Sequence, residues 1–381
     1  MKKEMDEIMK RMLTAKLIAA AMTFALVGCG NLTPGATSSA AAPASSAAPS
    51  AAAPAAPATS QAPAAAPSDL TYQFNADNIG EHTLKLSTTA APGSALANTA
   101  HSFADRVGEL SGGKMVVDVY EGSALGSEAQ NLEALTSGTL DIAIIAVEFY
   151  VNWVPQLGAL ILPYMYNDYD QVQRVMEGPA GEYASEQMLN VAKVKNLGYY
   201  VMAFRNMYTT KEIKTVDDLV GVKMRVPESA LYVETFKMMG AAPTPMPMGE
   251  VYTAIDTGVV AGLENTPDTC LNNSFFEVAE FFNVTKHLNA PTTISMSNQV
   301  FESLNQDEQN LLLQAGLDAS HFGVQQTKEL DEGFQAELKE KGMTFVESDT
   351  ASMKAKIDYT AYPFMQSEEA KKLFQLVQDN L

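Results

Sequence analysis

The sequence predicts an α/β protein of two lobes with a cleft between them and a helical C-terminal region. From residue 82 onwards, segments that alternate apolar and polar residues, as strands do, are separated by segments with the apolar spacing of helices. One predicted strand, Leu140–Ala146, is almost fully apolar, which suits a parallel sheet covered on both faces. Roughly 300 residues follow position 80, more than one hydrophobic core usually holds. Two cores are therefore expected.

The first lobe is predicted to begin as a βαβαβ series. Its strands are His82–Thr88, Lys114–Tyr120 and Leu140–Ala146. An apolar stripe from Leu96 to Leu110 marks the first helix between them, and Gly126-Ser127 opens the second. These strands are expected to lie parallel in one sheet.

The second lobe is predicted from shorter elements. The segment LGYYVMAF at 197–204 is expected to form a strand that Arg205 closes. Extended segments and helices then alternate, at 222–226, 230–239, 242–246, 251–257 and 260–264. A long helix from about 307 to 341 and a last helix from Ser367 follow. We assign to lobe I residues 81–204 and a returning segment near 292–330, and to lobe II residues 205–291 and the C-terminal helices.

The first 28 residues have the pattern of a signal segment. Basic residues precede an apolar run, Leu17–Val27, that is too short to span a bilayer. The run ends in Leu-Val-Gly-Cys, which resembles the lipobox of bacterial lipoproteins, with Cys29 as the lipidated residue. The alternative is a plain signal peptide. We expect a mature chain that begins at Cys29 and is held by its acyl chains, palmitate among them, on the outer face of the cell membrane.

Residues 29–80 are expected to form a tether. From about Leu32 to Ser68 the chain consists almost wholly of Ala, Pro, Ser and Thr. Such a segment cannot bury enough apolar surface to fold, so disorder is expected. As a coil, the segment between the cysteine and the folded part would reach roughly 35 Å.

Composition excludes several classes of function. With 25 Lys and Arg against 45 Asp and Glu, the net charge of −20 repels nucleic acid. Cys270 has no partner in the folded part, so no disulfide framework is expected. GxSxG, HExxH, P-loop and GxGxxG motifs are absent, which makes an extracytoplasmic enzyme the weaker alternative. No metal or cofactor is expected, because the histidines are scattered through the chain, at His82, His101, His287 and His321.

Several segments in order carry a family resemblance. MRVP lies within DLVGVKMRVPES (Asp218–Ser229), and EVYTA and GLEN follow within residues 238–265. Further matches are YEGSALGSEAQNLEALTSGTLDIAI (Tyr120–Ile144), LPYMYNDYD (Leu162–Asp170) and FFEVAEFFNVTKHL (Phe275–Leu288). The chain resembles the DctP-type solute-binding subunits of TRAP transporters. The resemblance implies a periplasmic-binding-protein-like fold, a monomer that closes on a small organic acid, and the membrane permease as partner. Presentation of the acid to a sensor kinase is the alternative output.

The resemblance also implies a binding site. Arg225 occupies the position of the family arginine that forms a paired contact with the ligand carboxylate, a geometry that lysine cannot copy. From the residues alone, an internal ion pair with one of the many acidic residues is the alternative. Arg205 is expected to be a second basic contact, with a solvated strand end as its alternative. Asn265 is expected to hydrogen-bond the acid, and Glu264 to fix local backbone.

The remaining site residues bear on the identity of the ligand. Met248 stands where sialic-acid binders carry an aromatic residue, and Thr89 where some carry an asparagine. Ala146 replaces an acidic pocket residue of those proteins, and Glu148 is two positions further on. Sialic acid is therefore disfavoured, and a smaller or more apolar mono- or dicarboxylate is left open. Other candidates for the pocket wall are Phe149, Tyr150 and Trp153, whereas Tyr252 is expected to be structural.

Overall fold

The structure, a computed structural model, describes residues 71–381. The predicted signal segment, Cys29 and most of the predicted tether lie outside these residues. The prediction that the tether continues to residue 80 is wrong. The backbone amide of Tyr72 donates to Gln314 Oε1 at 2.9 Å, and that of Gly80 donates to Glu308 Oε1 at 2.9 Å. Ile79 is buried, so this segment is already packed on the folded part.

The described residues form eleven strands. They are β1 (His82–Ser87), β2 (Met115–Tyr120), β3 (Ile142–Ala146), β4 (Val194–Tyr200), β5 (Arg205–Thr209), β6 (Lys223–Val226), β7 (Ala242–Pro245), β8 (Gly262–Asn265), β9 (Phe281–Leu288), β10 (Thr292–Ser297) and β11 (Thr344–Glu347).

The α-helices in the same part of the chain cover and connect these strands. They are α1 (Ala95–Leu110), α2 (Glu128–Ser137), α3 (Val147–Tyr150), α4 (Tyr169–Glu177), α5 (Pro179–Gln187), α6 (Ala230–Met238), α7 (Val251–Asp256), α8 (Pro267–Asn272), α9 (Asn298–Ser303), α10 (Gln306–Glu340), α11 (Thr350–Lys354) and α12 (Glu368–Gln378). None of these helices combines the length and the apolar character that a bilayer crossing requires.

Two sheets divide the strands between two lobes. The first has the order β2-β1-β3-β10-β4 and the second β11-β9-β5-β8-β6-β7. The prediction of parallel strands holds for β1, β2 and β3, whereas β10 returns antiparallel to β3 and β4. In the second sheet β6 is parallel to β7 and β8, and β5 is antiparallel to β8 and β9. The α/β class and the two-lobed fold are therefore confirmed.

The predicted strand at 197–204 is a strand only as far as Tyr200, and residues 201–204 cross between the lobes. β4 ends at Tyr200 in the first sheet, residues 201–204 are irregular, and Arg205 opens β5 in the second sheet. The apolar run continues through the crossing because these residues are mostly buried between the lobes. Sequence periodicity does not distinguish one long strand from two short ones in different sheets.

Helix α10 extends over both lobes. It packs against α1 and β4 of the first lobe and against α8 of the second. Its contact with β4 needs glycine at Gly316, where a Cβ atom would lie 2.3 Å from the carbonyl oxygen of Leu197. A larger residue there would push the helix off the sheet.

The last helix lies elsewhere than expected. We assigned the C-terminal helices to lobe II, yet α12 packs against residues 155–160 and α5, which belong to the first segment of the chain. Its apolar face, with Leu373 and Val377 fully buried, supplies the physical reason. β11 does join the second sheet, so the C-terminal region is shared between the lobes.

Candidate functional site

A cavity between the two sheets brings all six predicted site residues together. From the first lobe it is lined by Thr89, after β1, and by Glu148, after β3. From the second lobe come Arg205, Arg225 and Asn265 on their strands, and also Met248. The carboxyl ends of strands in open α/β sheets are where ligands commonly bind. The roles of these six residues in binding stay predictions, but the fold does place all six at one cavity.

Arg225 is buried, and no described residue provides it with an anionic partner. Its Nε and one terminal nitrogen donate to the carbonyl oxygen of Met246, at 3.0 and 2.7 Å. The other terminal nitrogen, Nη1, is buried and has no hydrogen-bond partner in the described residues. Burial lowers the pKa of the guanidinium to about 10, although Glu264 favours its charged form. Such a cation is stabilised by an anion that enters the cavity.

Arg205 is held by an internal ion pair. Its Nε and Nη2 donate to the two carboxylate oxygens of Glu264, at 2.6 and 2.8 Å, and Nη1 lies 3.4 Å from Glu148 Oε1. The guanidinium also stacks over the ring of Tyr232, at 5.1 Å from its centroid. The alternative of a solvated strand end is wrong, since the side chain is 3% exposed. The internal pair that we considered for Arg225 is formed by Arg205 instead.

The side chain of Glu264 bonds Arg205 and His287 in the described structure, not the local backbone that we expected it to fix. Burial opposes its ionisation, but Arg205 and a hydrogen bond from His287 lower the pKa of this carboxyl to about 2. His287 Nε2 lies 3.2 Å from Glu264 Oε2, and Thr285 Oγ1 lies 2.9 Å from His287 Nδ1. Arg205 and Glu264 are therefore both ionised at any physiological pH.

Two carboxylates from the first lobe face the arginines. Glu148 is 2% exposed, and its Oε2 has no hydrogen-bond partner among the described residues. Burial raises the pKa of Glu148 to about 7, against the effect of Arg205 and with that of Glu128. Glu128 accepts from the backbone amide of Ala146 at 2.8 Å and from Thr89 Oγ1 at 3.1 Å. Two acidic side chains, at positions other than Ala146, thus line this part of the cavity.

Asn265 and its neighbours complete the polar wall. Asn265 Oδ1 accepts from the amide of Thr266 at 2.8 Å, which directs Nδ2 away as a free donor among the described residues. Asp268 accepts from Thr266 Oγ1 at 2.6 Å, and burial raises the pKa of its carboxyl. Asn265 and Asp268 both line the cavity. They offer one donor and one acceptor to a bound molecule.

Of the weaker candidates, only one lines the cavity. Phe149 does so, together with Met202 and Met248, which form its apolar part. Tyr150 is buried, and its hydroxyl lies 2.6 Å from Ser295 Oγ. Trp153 is 38% exposed and Tyr252 bonds Glu277 on the surface, so neither contributes to the cavity.

Sequence reasoning missed Glu128, Asp268 and Met202. Glu128 is the first residue of α2, after the Ser127 cap, where an acidic residue is explained by the helix dipole alone. Asp268 has the same explanation in the first turn of α8. No signal in the sequence separated Glu128 and Asp268 from ordinary acidic residues at a helix start.

The cavity is narrow. Its volume of about 60 Å³ is well below the roughly 300–1,000 Å³ of typical ligand pockets. A larger cavity of about 560 Å³ lies beside β4, but Lys195 is its only basic residue and it holds no arginine. Within residues 71–381 no cluster of three or more His, Cys, Asp and Glu side chains is arranged to hold a metal ion.

Comparison with known families agrees with this arrangement. The family described as bacterial extracellular solute-binding protein, family 7, or DctP, matches residues 86–367. The chain belongs to this family. The predicted extracytoplasmic solute-binding protein of the TRAP type is confirmed, and the family is one of binding proteins, not enzymes.

Two relatives show how similar this chain is to other members of the DctP family. A solute-binding protein of Roseobacter denitrificans is 32% identical over 278 residues, which are 72% of this chain and 84% of the relative. The sialic acid-binding periplasmic protein of Vibrio cholerae is 30% identical over 233 residues, 61% of this chain and 73% of that protein.

Solved structures of TRAP periplasmic solute-binding proteins share the fold. One from Roseobacter denitrificans, with bound L-galactonate, has a TM-score of 0.73 and 30% identity and covers 79% of this chain and 99% of its own. One from Bradyrhizobium, in complex with D-galacturonate, has a TM-score of 0.75 and 30% identity and covers 78% and 99%.

Proposed function

We propose that this protein captures a polyhydroxylated monocarboxylic acid of the sugar-acid class and delivers it to the permease of a TRAP transporter. The observation that carries the proposal is the buried guanidinium of Arg225, whose Nη1 has no partner among the described residues. It meets one ligand carboxylate, while the free donor of Asn265 supports the same group. The carboxylates, hydroxyls and amides of the wall favour hydroxyl-bearing ligands over the more apolar acids that the sequence left open.

The named ligands of the relatives support this class. L-galactonate and D-galacturonate, bound in the two solved structures, carry one carboxylate and several hydroxyls. A thermal-shift screen of aldonates, uronates, short dicarboxylates and sialic acid tests the proposal. We expect the largest rise in melting temperature with an aldonate or uronate, because a ligand that binds only the folded state stabilises it. A rise in melting temperature confined to apolar acids would contradict the proposed function.

Ligand binding is expected to close the cleft. In the described residues four segments connect the lobes, namely residues 201–204, residues 289–291, helix α10 and the stretch between β11 and α12. Because the cavity is too narrow for entry, the free protein must sample a more open form, and the ligand selects the closed one. Small-angle scattering should show a smaller radius of gyration with a ligand from the screen. Identical profiles with and without saturating ligand would argue against closure.

We propose further that the mature protein is a monomer anchored through Cys29. The support is the Leu-Val-Gly-Cys sequence after a short apolar run. Cys29→Ser should move the protein from the membrane fraction to the soluble fraction of cells, because no acyl chain can then be attached. A substitution in the tether, Ser46→Ala, serves as the control and should leave it in the membrane fraction. A Cys29→Ser protein that stays with the membranes would refute the anchor.

A further inference from the structure

The cavity offers a single uncommitted cation. Arg205 gives both arms of its fork to Glu264, at 2.6 and 2.8 Å, and approaches Glu148 with its remaining nitrogen. Arg225 bonds only a carbonyl oxygen and keeps Nη1 free in the described structure. Among residues 71–381, no lysine or histidine lines this cavity. One carboxylate can therefore be neutralised inside it, and a second finds no free cation.

The same wall carries an excess of acidic groups. Glu128, Glu148, Glu228 and Asp268 all line the cavity. Among them Glu148 is distinguished by a buried oxygen, Oε2, that no described residue satisfies. An acceptor of this kind is satisfied by a donor on the ligand, and a hydroxyl is such a donor. A ligand carboxylate at that place would instead lie against the like charge of Glu148. Repulsion between like charges is one way in which binding sites reject unwanted partners.

We infer that Glu148 is a specificity-determining residue that makes the cleft accept monocarboxylic polyhydroxy acids and reject dicarboxylic acids of the same length. The inference rests on the proposed function, since it concerns a part of the ligand other than the carboxylate held by Arg225. It narrows the expectation from the sequence, which left dicarboxylates open.

The charged groups around Glu148 predict how this selectivity depends on pH. The charges of Arg205, Glu128 and Glu264 act on it, and Arg225, whose own pKa Glu148 influences, lines the same cavity. Burial raises the pKa of Glu148 to about 7. Below that pH the neutral carboxyl can donate a hydrogen bond to a second ligand carboxylate, and above it the ionised group repels one. Discrimination against dicarboxylates should therefore increase from pH 6 to pH 8.

Calorimetry with matched six-carbon acids tests the inference. The probes are L-galactonate and D-galacturonate, with one carboxylate, and galactarate, with two. At pH 8 the wild-type protein should bind the better monocarboxylate at least about 100-fold more tightly than galactarate. Glu148→Gln keeps size and hydrogen bonding but removes the charge, and should reduce this ratio at least about tenfold by improving galactarate binding. Glu332→Gln, on the exposed surface of α10, should leave the ratio unchanged.

Each outcome separates the inference from the function on which it rests. Wild-type affinities within tenfold of each other at pH 8, or a full ratio retained in Glu148→Gln, would overturn the role of Glu148 and leave sugar-acid binding intact. Absence of binding of both monocarboxylates would overturn the proposed function and this inference with it. The wild-type ratio at pH 6 and pH 8 requires no variant. A ratio that does not rise with pH would overturn the inference even if Glu148→Gln failed to fold.

Discussion

Replacement of Arg225 by alanine should weaken the binding of the best acid from the screen by about 30-fold to several-thousand-fold. Removal of one partner of a desolvated, hydrogen-bonded charge pair costs on the order of 2–5 kcal/mol. Arg225→Lys should also bind poorly, since an ammonium keeps the charge but loses the two parallel donors that a carboxylate needs. Calorimetry on each variant measures the loss.

The fold should survive these changes, because the only bonds that Arg225 makes in the described structure go to the carbonyl oxygen of Met246. Circular dichroism checks this point. Arg174→Ala is a matched control, since Arg174 is exposed on α4, outside the cavity, and its loss changes the net charge equally. Near wild-type affinity in Arg225→Ala would remove the basis of the proposed function. An unfolded Arg225→Ala would instead assign the arginine a structural role.

Replacement of Arg205 by alanine should destabilise the protein by about 3–5 kcal/mol, because it leaves the buried charge of Glu264 without its partner. From the sequence we expected Arg205 to be a second basic contact to the ligand or a solvated strand end, and neither role makes it a stabilising residue. The structure changes that expectation, since both members of the pair are at most 3% exposed. Chemical denaturation of the ligand-free protein measures the change in the free energy of unfolding.

A double-mutant cycle separates the ion pair from general effects. Arg205→Ala and Glu264→Ala together should cost clearly less than the sum of the single changes, because the second removes the charge that the first leaves unpaired. The exposed Lys339→Ala, on α10, should change stability by no more than about 0.5 kcal/mol, because the side chain of Lys339 makes no hydrogen bond in the described structure. Additive losses in the double-mutant cycle, or an Arg205→Ala protein as stable as the wild type, would show that the Arg205–Glu264 ion pair does not stabilise the fold.

Much of the fold was predictable because its elements are locally encoded. The three strands and two helices of the first lobe lie within a few residues of their predicted bounds, and the long helix at 307–341 is observed as Gln306–Glu340. Capping residues explain this agreement. Ser94, Ser127 and Asn305 each accept a backbone hydrogen bond at a helix start, and such signals lie within a few residues of the helix they begin.

By itself, the sequence determined the class of fold, the family and the position of Arg225, through motifs that are contiguous in the chain. Only the tertiary structure decided which arginine is free. Arg205 and Glu264 are 59 positions apart, and their pairing follows from the antiparallel register of β5 and β8, in which Asn206 lies opposite Asn265. The convergence of Glu128 and Glu148 on the same cavity likewise depends on how α2 and α3 pack on the first sheet. A charge becomes a binding group or a structural one according to its neighbours in space, and those neighbours come from distant parts of the chain.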